Sequence, residues 1–315
     1  MVRLTRERTA GPDGVLVLDK PAGPTSHDAV MRVRKALRTR EVGHGGTLDP
    51  MATGVLVVAV GEATKLLAWL ADQVKAHDAT VALGVETDTL DAMGQETRRA
   101  SLSASLIEAL DASRVDEVHP HVAAAIQAER ARTTQIPPAY SAIQTNGVRA
   151  YARARRGELV QLPARDVSVR ALAVTGCSTD PPSVSIRVEA EKGYYVRALA
   201  RDLAADLGTV GHLTALRRTR SGCFTLADAT PLDSPPAQLA AHVEPLGSVA
   251  ARAFSVAHLT DAGTEDARHG RAVRASDIRS AVNGTTAWFA PEGTLVAIGE
   301  IDEAGIGRVK RGFVR

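Results

Sequence analysis

The hydrophobic pattern of the chain is organised around residues 42–60. The second half of this segment is a continuous apolar run rich in valine, which predicts a strand buried on both faces. The residues just before it include several glycines, a histidine and one carboxylate, Asp49, followed by a proline. Glycine lets backbone approach a ligand closely, and a loop fixed to a buried strand is a rigid support for a reactive group. Because Asp-Pro is also ordinary turn chemistry, this segment alone leaves open whether Asp49 forms a turn or a site.

The same periodicity predicts elements on both sides of this segment. Strands are predicted at residues 15–18, 79–85 and 184–190. One helix is predicted to begin at Ser26, and further helices are predicted at residues 62–70, 103–131 and 194–207. Tyr195 and Arg197 therefore lie where a strand turns into a helix, a position at which side chains are well fixed. Asn146 and Gly147 predict a hairpin turn that leads into a basic segment around Tyr151.

Length and turn residues predict two domains. A chain of 315 residues is long enough to bury more than one core. Residues 1–13 are polar and predicted to be a flexible leader, whereas residues 228–250 carry four prolines and have the composition of a linker. Residues 248–315 hold short strand patterns separated by glycines, which predicts a small separate β module.

Composition excludes general disorder, because 44% of the residues are hydrophobic and 23% are charged. Net charge is only +2, so the distribution of basic residues matters more than their total. The N-terminus lacks the apolar core of a signal peptide and no apolar run is long enough to span a bilayer, so we predict a cytoplasmic protein. Cys177 and Cys223 allow at most one disulfide and no cysteine-rich metal site.

The motifs of several common chemistries are absent from the sequence. It contains no phosphate-binding loop, dinucleotide fingerprint, metalloprotease helix or serine elbow. The acidic residues 87–91 suggest a divalent ion, but they lack calcium-loop spacing, and a turn is favoured. The chemistry that remains rests on Asp49 as a nucleophile or a general base. A carboxylate stays ionised in a dry pocket only beside a cation, and we predict Arg197 because a guanidinium is always charged and orients through several donors.

Residues 43–50 read Gly-His-Gly-Gly-Thr-Leu-Asp-Pro, and Ala-Thr-Gly follows at 52–54. Together they strongly resemble the catalytic motif of the TruB-type pseudouridine synthases, which modify the T-loop uridine of tRNA. Further blocks match the family in the same order, at residues 19–21, 61–65, 87–89, 135–142, 192–197 and 216–218. The resemblance covers roughly residues 14–222.

The resemblance implies an α+β fold. A pseudouridine synthase catalytic domain would cover residues 14–247, with a mixed, mainly antiparallel central sheet flanked by helices. A thumb-like insertion at about 123–162 would close on RNA, and residues 248–315 would form a PUA-like RNA-binding domain. The implied activity is isomerisation of the uridine at tRNA position 55 to pseudouridine. It would need no cofactor, metal, guide RNA or protein partner, and a monomer would bind the T-arm stem-loop.

The resemblance also assigns roles to the reacting loop and its supports. Asp49 would be the catalytic residue, and Arg197 would pair with it. Lys20 belongs to a motif that would support the catalytic loop.

A second group of residues would contact the substrate. His44 would help hold the flipped nucleotide, Tyr195 would lie against the target base, and Leu216 would line the pocket. His77 stands where the family usually has a tyrosine stacked on that base. Imidazole still stacks and forms hydrogen bonds, but it offers less area and can titrate.

Departures from the family pattern keep alternatives open. Besides His77, Glu129 and Ala131 stand where an aromatic residue and a glycine often precede the Gln-x-Pro-Pro block. The alternatives are a synthase acting on another RNA, or an RNA-binding, tRNA-folding module with weak or altered synthase activity. The sequence also leaves open whether Asp49 attacks the sugar, attacks the base or removes a sugar proton.

Overall fold

A computed structural model describes residues 12–141, 143–145, 147–280 and 283–313. The predicted leader, residues 1–13, therefore falls almost entirely outside the described residues. Ala142, the last residue of the family block at 135–142, and Asn146, which begins the predicted hairpin turn, also lie outside them.

The described residues form strands and helices throughout their length. The strands are β1 (Gly14–Lys20), β2 (Val42–His44), β3 (Thr53–Val60), β4 (Lys75–Leu83), β5 (Val85–Thr87), β6 (Glu96–Arg99), β7 (Thr134–Gln135), β8 (Gln144–Thr145), β9 (Val148–Arg149), β10 (Arg165–Asp166), β11 (Val169–Thr179), β12 (Pro182–Ala190), β13 (Gly211–Ser221), β14 (Phe224–Thr225), β15 (Thr230–Pro231), β16 (Glu244–Pro245), β17 (Ser255–Leu259), β18 (Ile278–Arg279), β19 (Gly284–Phe289), β20 (Leu295–Ile301) and β21 (Gly307–Gly312). The helices are α1 (Ser26–Leu37), α2 (Leu67–Ala71), α3 (Ala104–Ala112), α4 (Pro120–Arg130), α5 (Ala150–Ala154), α6 (Val196–Asp206), α7 (Pro236–Ala241), α8 (Leu246–Ala253) and α9 (Asp261–Arg268). Among these described helices, none is both long and apolar enough to cross a membrane.

A ten-stranded mixed sheet forms the centre of the molecule, in the order β11-β12-β4-β13-β3-β1-β15, with β2, β14 and β16 attached at its sides. Most neighbours are antiparallel, whereas β1 with β15 and β13 with β3 are parallel. The α+β class with a mainly antiparallel sheet is thus confirmed. Strand β3 lies inside the sheet, and every residue after Thr53 is buried. The prediction of a strand buried on both faces is confirmed as well.

The two faces of the sheet pack against different parts of the chain. Leu16 and Leu18 of β1 join a core with α1, α3, α4, α6 and α7. Val15 and Val17 face the other way and pack with α8 and with the strands of the C-terminal sheet. Successive side chains of β1 therefore point alternately into the two cores. Burial on both faces explains why β1 is apolar at four consecutive positions.

Residues 228–250 do not form a linker, and that prediction is wrong. Thr230 pairs with Leu18 in parallel, and Glu244 pairs with Val15 in antiparallel. Leu239 of α7 is buried in the main core. Pro235 and Pro236 stand at the start of α7 and Pro245 at the start of α8, where a missing N–H group costs little, so these prolines mark folded structure.

The alanine-rich residues 103–131 form two helices, α3 and α4, instead of one. Pro120 begins α4, and a proline disfavours helical backbone at the residue before it. The Ser113 hydroxyl accepts a hydrogen bond from the His119 N–H and donates one to the Ala109 carbonyl. These two bonds fix the connection between α3 and α4. Helix α4 then packs in the main core through Val122, Ala125 and Ile126. The first part of the predicted thumb-like insertion is therefore a core helix.

The C-terminal residues fold into a five-stranded sheet, in the order β18-β17-β19-β20-β21. Trp288 is fully buried in a small core beside α9, and its indole N–H donates to the Thr286 hydroxyl at 2.7 Å. A side chain at Gly299 would place its Cβ 2.0 Å from the Trp288 ring, so only glycine fits there. Phe289 and Phe313 pack in the core shared with the central sheet.

Candidate active site

The loop that carries Asp49 joins β2 to β3 and is fastened to the start of α1. The Ser26 hydroxyl donates to the Leu48 carbonyl at 3.0 Å and accepts the Leu48 N–H at 2.8 Å. Ser26 is itself 2% exposed, so water competes little for these bonds. The N–H of Gly23 also donates to the Pro50 carbonyl at 2.9 Å. The residues on either side of Asp49 are therefore fixed by the chain segment that precedes α1.

Two buried cations hold the same loop from beneath. The Lys20 ammonium donates to the carbonyls of Pro21, Pro24 and Pro50, and its side chain has no exposed surface. Burial lowers the pKa of Lys20 to about 8, although the nearby Asp49 carboxylate opposes this shift. The contacts match the supporting role that the family resemblance implies for Lys20.

Arg218 is the second buried cation, and sequence reasoning assigned it no role. It is 2% exposed, and its guanidinium donates to the carbonyls of Val55, Thr47 and Gly46 at 2.6, 3.2 and 3.1 Å. Burial lowers the pKa of Arg218 to about 10, with the Asp49 charge acting in the opposite direction. Within the described ranges it has no carboxylate partner at ion-pair distance, so its charge acts directly on the loop and on Asp49.

Asp49 and Arg197 form the central ion pair of the site. Arg197 Nη2 donates to Asp49 Oδ1 at 3.1 Å, and Nε lies 2.9 Å from Oδ2 without hydrogen-bond geometry. The Arg197 side chain is 6% exposed and the Asp49 side chain 30%. The structure thus brings the predicted pair together although 148 residues separate them in the chain.

Three further groups fix the Arg197 guanidinium. It donates to the carbonyls of Thr89 and Tyr140, both at 2.9 Å, and Nη1 lies 3.7 Å from the Asp91 carboxylate. Asp91 belongs to the acidic turn, where the Thr87 hydroxyl donates to its carbonyl at 2.8 Å. The predicted turn at residues 87–91 is present, and it supports Arg197.

The surroundings of Asp49 act on its protonation in opposite directions. Loss of hydration raises the pKa of Asp49 above its ordinary value, because protein atoms crowd the carboxylate although part of it stays open. The Arg197 cation is the strongest opposing influence, and the Asp91 carboxylate raises the pKa further. A carboxylate of raised pKa is a better base and nucleophile than an ordinary one once it is ionised.

Tyr195 precedes the first residue of α6, at the junction that the sequence predicted. The Gln135 side chain fixes its backbone at two points, accepting the Tyr195 N–H at 2.9 Å and donating to the Tyr195 carbonyl at 3.2 Å. Burial raises the pKa of the Tyr195 phenol, and the charges of Asp49 and Arg197 are near enough to affect it. Tyr195 therefore lies beside the ion pair with its backbone held in place.

His77 and Leu216 lie on neighbouring strands beneath the loop. His77 of β4 pairs with Arg218 of β13, and Ala79 pairs with Leu216. Cross-strand partners point to the same face, so these side chains share the face on which Arg218 holds the loop. Burial lowers the pKa of His77 to about 3, and the cations of Arg218 and Lys75 add to the effect. His77 is therefore neutral at physiological pH.

His44 ends β2 and enters the same loop. Burial lowers its pKa, and the Arg218 cation adds to this effect, so its ring is neutral. Its Nδ1 is buried and has no hydrogen-bond partner of ordinary geometry among the described residues, while the Gly46 backbone is near enough to oppose the lowering of the pKa. The binding role that the resemblance implies for His44 stays a prediction.

The site also contains residues that sequence reasoning missed or left without a role. Glu129 is fully buried, accepts the Tyr194 hydroxyl at 2.6 Å and pairs with Arg132 at 2.5 Å. Glu129 stands where the family pattern led us to expect an aromatic residue, and its bond to Tyr194 ties α4 to the residue just before Tyr195. Together with Gln135, Glu129 shows that α4 and its exit position the junction before α6. The available signal for Glu129 was its helical spacing from Val122, Ala125 and Ile126, which places it on the apolar face of α4.

No metal centre is formed by the described residues. Among them, no group of three or more His, Cys, Asp or Glu residues is placed to hold a metal ion. Cys177 and Cys223 are free thiols, so the disulfide that the sequence allowed is not formed.

The chain matches two family models. The N-terminal domain of the TruB family pseudouridylate synthases matches residues 34–196, and the C-terminal domain of tRNA pseudouridylate synthase B matches residues 197–246. A tRNA pseudouridine synthase B of Thermobifida fusca (strain YX) is 46% identical over 294 residues, which are 91% of this chain and 94% of that protein. Another, from Mycobacterium sp. (strain KMS), is 42% identical over 293 residues, 90% of this chain and 91% of that protein.

Solved structures share the fold at lower identity. A chain of a Cbf5-Nop10-Gar1 complex superposes with a TM-score of 0.71 at 22% identity, covering 96% of this chain and 85% of that chain. A chain of an H/ACA RNP bound to a substrate RNA containing 2'-deoxyuridine gives 0.67 at 23% identity, with the same coverage. The segments matched by the two family models include the Asp49 loop, Tyr195 and Arg197. The chain belongs to the TruB family of pseudouridylate synthases.

Proposed function

We propose that this protein isomerises the uridine at position 55, in the T-loop of tRNA, to pseudouridine. The observation that carries the proposal is the partly open Asp49 carboxylate, paired with Arg197 beside Tyr195. Relatives at 40–46% identity carry the name tRNA pseudouridine synthase B, which supports the substrate. The bacterial relatives also support a cytoplasmic location.

The reaction breaks the N-glycosidic bond, turns the base and bonds C5 to the sugar. A uridine in a structured loop must leave its stack to reach Asp49, which costs a few kcal/mol. Tyr195 would lie against the flipped base, Leu216 would line its pocket, and His44, which enters the Asp49 loop from β2, would help hold the flipped nucleotide. Attack on the sugar, attack on the base and removal of a sugar proton all require ionised Asp49. Keeping it ionised and oriented is the role we assign to Arg197.

The remainder of the chain supplies surfaces for RNA. We assign residues 14–247 to the catalytic domain and residues 248–315 to a PUA-like RNA-binding domain, which rests on the face of the sheet opposite α1 and α6. The thumb-like element would follow α4 and carry the basic residues around α5. One copy of the chain, without guide RNA or protein partner, would bind the T-arm stem-loop.

The proposal is tested by incubating the native chain with an unmodified T-arm stem-loop and mapping pseudouridine at nucleotide resolution. We expect product at the position equivalent to 55 and none in a matched RNA with cytidine there. Absence of product with the native chain would overturn the synthase proposal. If that chain still bound or folded the RNA, the RNA-binding alternative would take its place.

Replacing His77 with tyrosine tests whether residue 77 contacts the flipped base. We expect turnover or RNA affinity to rise by about 3- to 10-fold, because a phenol ring stacks over more area than imidazole and base stacking contributes about 1–3 kcal/mol. Single-turnover kinetics and equilibrium binding on the same stem-loop measure both effects. Unchanged values for both would show that position 77 does not touch the base.

The pH profile provides an independent check on His77. Because its pKa is lowered to about 3, the imidazole stays neutral from pH 5 upward. The pH–rate profiles of the native enzyme and of His77→Tyr should therefore have the same shape near pH 6.5.

A further inference from the structure

A basic groove lies at the C-terminal end of α1, away from the catalytic loop. It has a volume of about 520 Å³ and is lined by Met31, Arg34, Lys35, Arg38, Thr39 and Arg40. No carboxylate lines it, although the whole chain carries a net charge of only +2. The positive charge is therefore concentrated locally in a concave surface.

Three of these cations have no partner within the protein. In the described part of the chain, the side chains of Lys35, Arg38 and Arg40 form no ion pair or hydrogen bond, and all three residues are exposed. Some cationic side chains at the ends of other helices are paired within the protein. Arg132 after α4 binds Glu129 and Asp206, and Arg252 of α8 binds Asp228 and Glu244. The end of α1 differs in bringing three cations without such partners together in one groove.

The backbone at Arg38 adds an independent observation. Arg38 caps α1 in the left-handed region, with φ 53° and ψ 37°. Glycine occupies this position at lower cost, because an L side chain crowds the following carbonyl there. The helix dipole favours cations near α1, but its influence ends within the last turn, and Arg40 lies beyond it. Neither helix capping nor the dipole accounts for the whole set.

The groove is held at a fixed distance from the reacting loop. Ser26, the first residue of α1, is bonded to Leu48 next to Asp49. At 1.5 Å per residue, the twelve residues of α1 place the groove about 18 Å from that end. This separation is larger than one nucleotide, so a phosphate held in the groove would belong to a part of the RNA outside the target nucleotide.

We propose that the groove formed by Lys35, Arg38 and Arg40 binds backbone phosphates of the RNA stem adjoining the loop that carries the target uridine. The inference rests on the proposed function, since it takes the RNA substrate from there. Phosphate contacts of this kind position an RNA and supply affinity without reading its sequence. The groove would therefore orient the stem while the pocket around Asp49 selects the base.

The test measures equilibrium binding of the T-arm stem-loop to the full-length chain over a series of salt concentrations. Asp49→Asn in every protein prevents turnover during the measurement. In that background we compare Arg38→Gly, the triple variant Lys35→Gln/Arg38→Gly/Arg40→Gln, and Arg114→Gln as the control. Arg114 is an exposed arginine after α3, with no ion pair among the described residues. It lies towards the opposite edge of the central sheet, because α3 packs on β11 whereas α1 packs on α7 and β2.

We expect the triple variant to bind at least about 10-fold more weakly at 150 mM salt. The slope of log K against log salt should become shallower by about two to three, because each lost phosphate contact removes nearly one unit. Arg38→Gly alone should weaken binding while leaving the thermal midpoint unchanged or higher, which separates its RNA contact from a folding role. Native affinity and slope in the triple variant, or an equal loss in Arg114→Gln, would overturn the proposal.

A second RNA tests the assignment to the stem. On a single-stranded oligonucleotide of the loop sequence, the triple variant and its parent should bind equally. A difference that persists on this RNA would overturn the assignment. Product formation is measured separately with the chain that keeps Asp49. Absence of product there would overturn the synthase proposal, whereas the groove proposal is decided by the binding measurements alone.

Discussion

Asp49→Asn is expected to abolish pseudouridine formation, lowering the single-turnover rate by at least about 10⁴-fold. An amide of the same shape is neither a useful nucleophile nor a base, so each of the three possible routes fails. The carboxylate is also the group on which the nearby cations converge, through the Arg197 ion pair and the charges of Lys20 and Arg218. Rates measured with enzyme in excess over an unmodified T-arm stem-loop report the chemical step.

Two comparisons show whether this loss is chemical. RNA affinity of Asp49→Asn should stay within a few-fold of native, since phosphates and base contacts supply binding. Asp91→Asn is a matched control, because this second carboxylate also faces Arg197, at 3.7 Å. It should cost far less activity than Asp49→Asn. Product formation by Asp49→Asn at the native rate would refute the role given to Asp49.

Some features of this site are local in the sequence, and these could be predicted. Strand β3 is recognisable because both of its faces are buried, which removes polar residues from the run. The glycines and Asp49 directly before it then mark the loop. The junction before α6 was equally clear, because alternation in β12 gives way to helical spacing after Tyr195. In both cases one short segment contains all the information.

Other features depend on contacts between distant segments, and these could not be predicted. Arg218 reaches carbonyls of residues 163 to 172 positions earlier in the chain. In the sequence it is one arginine in a basic run, and nothing local separates it from an exposed neighbour. Gln135 likewise finds Tyr195 across 60 residues. Side chains that bind backbone carbonyls or N–H groups impose no requirement on the identity of their partners, so no second sequence signal accompanies them.

The failed linker prediction has a related cause. Four prolines among alanines and polar residues were taken as signs of a linker at residues 228–250. Pairing of this segment with β1 uses backbone groups only over two short registers, at Leu18 to Asp19 and Gly14 to Val15. Strands of two residues are too short to produce alternation, so composition dominated the prediction.

Arg197→Gln is expected to move the acid limb of the pH–rate profile to higher pH and to lower the plateau. The sign follows from the required form, since activity needs ionised Asp49 and is lost as pH falls through its pKa. Burial already raises that pKa, and the Arg197 cation is the strongest influence lowering it. Without this cation the pKa rises further, so activity fails at a higher pH than in the native enzyme. The plateau should fall by about 10²-fold, because the carboxylate loses its orientation.

Arg197→Lys separates charge from geometry. An ammonium keeps a positive charge near Asp49, so the acid limb should return towards its native position. It cannot reproduce the guanidinium contacts to Asp49, Thr89 and Tyr140 together, so the plateau should remain low. Single-turnover rates from pH 5 to 9, with thermal midpoints for each variant, distinguish these effects from unfolding. An unshifted acid limb in a folded Arg197→Gln protein would show that Arg197 does not control the ionisation of Asp49, and its place in the site would then be structural only.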